Sequence, residues 1–190
     1  AVGAPLEQNG RLYNCAFLLS GGNILGAVPK TFLPTYGEYY ERRWFSPAPD
    51  GLSRVTLGAS SFPFGTDLIF TAPDGTKVGV EICEDLWSPL PPSSLLSMAG
   101  AEVILNLSAS NETILKRNYR RDLILQQSAR TFSAYLYASA GSDESTSDLI
   151  FSGHGLIALA GSPVAENRHY IDSDYLLYTD LDLEKIRYDR

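Results

Sequence analysis

No stretch of the chain stays apolar for the roughly eighteen residues that a membrane-spanning helix needs. The N-terminus also lacks the basic-then-apolar order of a secretory signal. These two absences lead to the expectation of a cytoplasmic protein with no membrane partner. Cysteine and histidine are scarce: Cys15, Cys83, His154 and His169 are all that 190 residues contain. Two thiols make no disulfide framework, and their spacing to the histidines matches no zinc signature, so no metal site is expected. Positive charge is short as well. Lys and Arg number 15 against 22 Asp and Glu, a formal net charge of −7. No basic run offsets that acidity, which argues against nucleic acid as a partner and leaves small molecules or other proteins.

What is present is ordinary for a globular domain, with 44% hydrophobic and 19% charged residues. The length suffices for one domain with a sizeable core. LYNCAFLL (12–19) and ILGAV (24–28), separated by the turn cluster SGGN, predict a hairpin. TDLIFT (66–71) and KVGVEIC (77–83), separated by APDG, predict another. The intervening Tyr-, Pro- and charge-rich stretch reads as a functional loop with a helical turn at 39–43. SSLLSMAGA (93–101) predicts a short helix begun by serine and ended at Gly100. VILNL (103–107) and AYLYAS (134–139) predict strands. Between them, 116–132 predicts the best helix of the chain, its apolar side marked by Leu125, Ala129 and Phe132. The runs LIF and GLIALAG follow, and a last strand is expected at YLLYTDLD (175–182). Hairpins followed by strand–helix alternation imply an α/β layered domain with a mixed sheet. Two helices cannot cover both faces of it.

One decapeptide raises a chemical question. In VGVEICEDLW (78–87), Cys83 ends a buried strand among Glu81, Glu84 and Asp85. Neighbouring negative charge and burial both oppose a thiolate. Either Cys83 is a small apolar filler, or a cation and a base reach it from elsewhere in the sequence. Lys30, in PKTFLP at the end of the ILGAV strand, is the candidate cation. Spacing alone leaves both readings open.

The phrases VPKTFLPTYGEYYERRWF (28–45), VGVEICEDLW, NLSAS (106–110) and YLYASAGSDESTSDLIFSGHG (135–155) closely resemble the lysine and cysteine segments of the nitrilase superfamily of carbon–nitrogen hydrolases. The likeness is specifically to the glutaminase domain of glutamine-dependent NAD synthetases, and it runs across essentially the whole chain. It implies a four-layer α-β-β-α sandwich, incomplete at its N-terminus. It also implies glutamine hydrolysis through a cysteine thioester, with ammonia passed to a synthetase domain of the same polypeptide. Cys83 would be the nucleophile, Lys30 the oxyanion partner, and Glu41 the second glutamate that the superfamily keeps near its lysine. Tyr36, Glu84, Trp87, Ser110 and Lys116 would contact the substrate. Lys116 stands where relatives can have arginine, and it lacks arginine's bidentate fork.

The resemblance has gaps. The family's general-base glutamate lies well upstream of the lysine, and no acid before Lys30 matches it; the only one is Glu7. No glycine-rich ATP-pyrophosphatase loop follows either. Residues 1–190 are therefore expected to be a partial glutaminase domain without the first strands and helices and without the synthetase, inactive when isolated. No cofactor is expected in this domain, while ATP and magnesium belong to the absent synthetase domain. The intact enzyme is expected to be a homo-oligomer. Two alternatives stay open: a stand-alone amidase of the same superfamily, or a non-catalytic interaction module if the upstream glutamate is lacking. No histidine is needed by this chemistry, so His154 is read as structural.

Overall fold

The residues of the first predicted hairpin form nearly continuous apolar runs, as strands covered on both faces do. In a computed structural model, which describes residues 1–168, 170 and 173–190, they form β2 (Arg11–Ser20) and β3 (Asn23–Pro29). The turn between them uses Gly21 and Gly22 at φ 54° and 78°, a backbone region that glycine enters without steric cost. Three further strands complete this sheet: β1 (Val2–Gln8), β4 (Ser53–Leu57) and β5 (Ser60–Phe64), in the order β1-β2-β3-β5-β4. Its pairs are antiparallel except β3 with β5.

The second sheet contains β6 (Phe70–Thr71), β7 (Lys77–Ile82), β8 (Val103–Ser108), β9 (Ala134–Ser139), β10 (Gly155–Leu159) and β11 (Ser162–Glu166), in the order β11-β10-β9-β8-β7-β6. Strands β7, β8 and β9 run parallel. Parallel neighbours need a crossover, and α1 (Pro92–Met98) and α2 (Lys116–Thr131) occur in those two connections. Helix α3 (Leu183–Asp189) closes the chain.

Strand alternation divides the core. Val80 and Ile82 of β7 meet Ala16 and Val28 of the first sheet, so the two sheets pack face to face. The residues between them point the other way. Leu96 of α1 and Ile124 of α2 cover that face together with Ile104, Tyr135 and Leu156. Gly79 permits the close approach of α1, since a Cβ there would lie 3.1 Å from both the Leu96 and Ile104 methyl groups. The opposite face of the first sheet carries a separate cluster, with Tyr13 edge-on to Phe64 and Phe17 edge-on to Phe62. The expected α/β class and paired sheets are present. Helices cover the second sheet, and the cluster on the first is built from its own strands.

Several elements differ from expectation. YLLYTDLD is not a strand: Leu176 and Tyr178 are 82% and 81% exposed, while the Tyr175 hydroxyl donates to the Gly153 carbonyl at 2.8 Å. The regular element lies just beyond it, where Asp182 caps α3 by accepting the Lys185 N–H at 3.0 Å. Strands β1, β4, β5 and β11 are additions to the sequence reading. In α2 the buried stripe is Arg120, Ile124, Gln127, Ser128 and Thr131, whereas Ala129 and Phe132 are exposed. The stripe is polar because each such residue has a partner inside: Gln127 donates to the Ser93 and Ser94 hydroxyls, Ser128 to the Ser133 carbonyl and Thr131 to the Gln127 carbonyl. His169 lies outside the described residues. Among those described, no group of three His, Cys, Asp or Glu is arranged to hold a metal ion, and no helix is long and apolar enough to cross a membrane.

Candidate active site

In open α/β sheets, ligands sit beyond the carboxyl ends of the parallel strands. Cys83 follows β7, Ser108 to Ser110 end or follow β8, and Ser139 ends β9. Lys30 follows β3 of the other sheet. All of these line one cleft of about 860 Å³, together with Tyr36, Glu38, Tyr39, Glu41, Glu84, Trp87 and Lys116. Every residue that the sequence singled out for the site thus borders the same cleft. Leu107, Leu149 and Phe151 supply apolar wall.

Lys30 is only 4% exposed, and a buried ammonium needs a partner. Its Nζ lies 2.5 Å from Glu41 Oε2. The other oxygen of Glu41 accepts from Asn14 Nδ2 at 2.6 Å, and the Lys30 N–H donates to the Asn14 carbonyl at 2.8 Å. One short circuit through β2 therefore fixes both ends of the lysine.

Cys83 opens a 3-10 turn, Cys83–Trp87, with φ at 48°. A non-glycine residue in this left-handed region is strained, and such strain clusters at functional positions. Its N–H donates to Asn106 Oδ1 at 3.3 Å. The three acids that seemed to oppose ionisation each have an occupation. Glu81 points to the helix side, accepting from the Ser93 N–H at 2.8 Å and from the Tyr135 hydroxyl; burial pushes its carboxyl pKa up. Glu84 Oε1 accepts from the Tyr36 hydroxyl at 2.8 Å. Among the described residues, the Asp85 carboxylate accepts only from backbone N–H groups, those of Thr31, Phe32 and Ile82.

At the mouth, Asn111 gathers side chains from two segments. Its Oδ1 accepts from the Tyr39 hydroxyl at 2.7 Å and from Lys116, and its Nδ2 donates to Glu38. The Lys116 ammonium lies over the Trp87 ring at 5.5 Å and the Tyr39 ring at 5.7 Å, attractive positions for a cation. Burial lowers its pKa and raises that of Tyr39 to about 12. Trp87 stacks on Tyr119. Ser110 is buried, its hydroxyl accepting from Arg120 Nη1 at 3.3 Å. Arg120 is itself fully buried, bonded to Glu112 at 2.7 Å and to His154 Nδ1 at 3.0 Å. The cleft thus offers a thiol, a fixed cation and a mouth carrying both charges, an arrangement complementary to a small zwitterion.

Asn111 and Arg120 escaped the sequence reading, which took Asp85 only as a flanking acid and Asn106 only as the start of a quoted motif. Asp85 and Asn106 lie inside quoted motifs, but their partners are backbone groups or distant in sequence. For Asp85 the signal was the improbability of a free carboxylate beside a buried strand end.

Comparison with known proteins places the chain in a family. The model of the carbon-nitrogen hydrolase family matches residues 1–190. Glutamine-dependent NAD(+) synthetase of Mycobacterium tuberculosis is 43% identical over 191 residues, covering 100% of the chain and 28% of the relative. Among solved structures, a glutamine-dependent NAD(+) synthetase from Cytophaga hutchinsonii superposes with a TM-score of 0.79 at 32% identity, over 88% of this chain and 27% of that one. A glutamine-dependent NAD+ synthetase from Acinetobacter baumannii in complex with ADP superposes at 0.75 with 25% identity, over 93% and 30%. The chain spans just over a quarter of the length of these proteins.

Proposed function

The chain belongs to the carbon-nitrogen hydrolase family, and from that premise we propose that it is the glutamine-hydrolysing part of a glutamine-dependent NAD synthetase. The carrying observation is that Lys30, Glu41 and Cys83 border one cleft with the five substrate-contact candidates. The similarity to named synthetases gives the substrate.

In this reading the Cys83 sulfur attacks the side-chain carboxamide carbon of glutamine. A C–S bond forms, and the carbonyl π pair moves to oxygen. The Lys30 ammonium, held by Glu41, stabilises the negative charge on sulfur before attack and on oxygen after it. Collapse breaks the C–N bond once the nitrogen has received a proton, releasing ammonia and leaving a γ-glutamyl thioester. Water then attacks the thioester, giving glutamate and the free thiol. Lys116 receives the substrate carboxylate, while Glu84, aligned by Tyr36, and Ser110 bind the amino-acid head group.

A carboxylate must shuttle the protons. We assign it to protein outside these 190 residues. Support comes from the greater length of the relatives and from the cleft carboxylates, since Glu38, Glu41 and Glu84 are each engaged by another side chain. The proposal extends to a synthetase domain that uses ATP and magnesium to amidate nicotinic acid adenine dinucleotide, for which the ADP-bound relative is the support. It extends also to a homo-oligomeric state, consistent with the exposed Leu176, Tyr178 and Tyr188.

The test is glutamate release by the full-length protein beside its Cys83→Ala and Lys30→Met variants and residues 1–190 alone. The reading expects all three altered proteins to lose on the order of a hundred- to ten-thousand-fold or more. Undiminished release by Cys83→Ala would end it.

A further inference from the structure

Asp85 is 1% exposed and lies behind the cleft wall, next to the lining residues Cys83 and Glu84; among the described residues no side chain donates to it. Its Oδ2 accepts the N–H of Ile82 at 2.9 Å. Its Oδ1 accepts the N–H of Phe32 at 2.8 Å and of Thr31 at 3.1 Å. Ile82 immediately precedes Cys83, and Thr31 immediately follows Lys30. The strands that deliver those two residues, β7 and β3, belong to different sheets. A single carboxylate therefore ties the seam between the sheets at the point where both chains leave their strands. Three converging N–H donors need acceptors on both oxygens, which an ionised carboxylate provides and a carboxamide does not.

The position is an unfavourable one for such a group. Burial raises its pKa and Glu81 adds to the rise, while the N–H groups of Phe32 and Ile82 and the Lys30 ammonium pull it back, and the balance leaves it raised to about 7. A well-packed apolar residue usually serves a core at least as well as a buried charge. What only the carboxylate achieves is the geometry.

We propose that Asp85 is a positioning residue for the amide-cleaving reaction, clamping the backbones on either side of Lys30 and Cys83 so that ammonium and sulfur share one substrate atom's reach. The inference rests on the glutaminase reading for its kinetic readout, whereas the reactivity of Cys83 toward iodoacetamide tests it independently.

The experiment compares Asp85→Asn and Asp85→Ser with the parent full-length protein, with folding checked by near-ultraviolet circular dichroism. Displacing a reacting group by about 1 Å costs on the order of a hundredfold. The folded variants should therefore lose about a hundredfold in kcat for glutamine with KM changed less than about threefold, and alkylate at Cys83 at least about tenfold more slowly at fixed pH. Retention of kcat and alkylation rate within about threefold, or a rise in KM with kcat intact, would overturn the proposal. Failure of both variants to fold would make Asp85 a stability residue and overturn it too. A parent that releases no glutamate would remove the glutaminase reading alone, and the alkylation comparison would still decide the role of Asp85.

Discussion

Glu41 Oε2 lies 2.5 Å from Lys30 Nζ, and the same carboxylate is held from its other side by Asn14. The lysine thus enters the cleft with its charge balanced and its direction set. Glu41→Gln removes the balance while keeping the shape. Leaving a buried charge without its partner costs on the order of 3 kcal/mol, and misdirecting the ammonium should lower kcat by about a hundredfold. Steady-state kinetics with thermal unfolding checks both; unchanged kcat would separate Glu41 from catalysis.

The backbone at Cys83 yields a prediction independent of chemistry. At φ 48° a side chain is strained, so Cys83→Gly should be more stable than Cys83→Ala by about 1 kcal/mol, the reverse of the usual order in regular structure. Denaturant midpoints of the two inactive variants measure the difference. Equal stability, or Ala the more stable, would contradict the strained conformation.

Lys116 sits over two aromatic rings at the mouth. Lys116→Met keeps the stem and removes the charge, so KM for glutamine should rise about tenfold with kcat changed little, the signature of lost uniform binding. Lys116→Arg should keep KM within about threefold of the parent. A fall in kcat at constant KM in the Met variant would move Lys116 from binding to the reaction itself.

His154 gives a pH dependence. Its Nδ1 accepts from Arg120 and its Nε2 faces Glu166 at 3.1 Å. Burial, then the charges of Arg117 and Arg120, push its pKa from 6.5 down to about 4. The unfolded chain therefore takes up this proton first as pH falls. Between pH 6.5 and about 4 the unfolded state holds more protons, so the contribution is complete above 6.5 and is lost as pH drops through that window. The melting temperature should fall more steeply over this range in the parent than in His154→Asn. Parallel slopes would contradict it.

Elements with strong local signals were legible in the sequence. The β2–β3 hairpin has two apolar runs and a glycine turn, and β7, β8 and β9 are apolar runs bounded by breakers. Strand β1 was hidden because VGAPLEQ contains glycine and proline, tolerable only because β1 lies at a sheet edge. Strand β5 was hidden likewise by Pro63, beside a pairing with β3 confined to Ala27 and Phe64. Helix α3 was overlooked in favour of the apolar residues before it, although Asp182 three residues ahead of Lys185 carried a capping signal. The buried side of α2 defeated hydrophobic periodicity because Arg120 and Gln127 are buried through tertiary partners that no local window contains.

At the site, Lys30 and Cys83 were singled out through family resemblance, not spacing, and both line the cleft. The directions in which the neighbouring acids face were not legible. Glu81 faces the helices, Glu84 meets Tyr36, and Asp85 spends its charge on backbone donors 53 and 54 residues away. Orientation across a strand and partners at such separation leave no trace in composition.

The most direct measurement is mass spectrometry of the full-length protein mixed with glutamine and quenched in acid within its turnover time. The account predicts a mass increase of one γ-glutamyl group, mapped to Cys83 and absent from Cys83→Ala. An adduct on another residue, or glutamate release at full rate with Cys83 unmodified and replaceable, would contradict it.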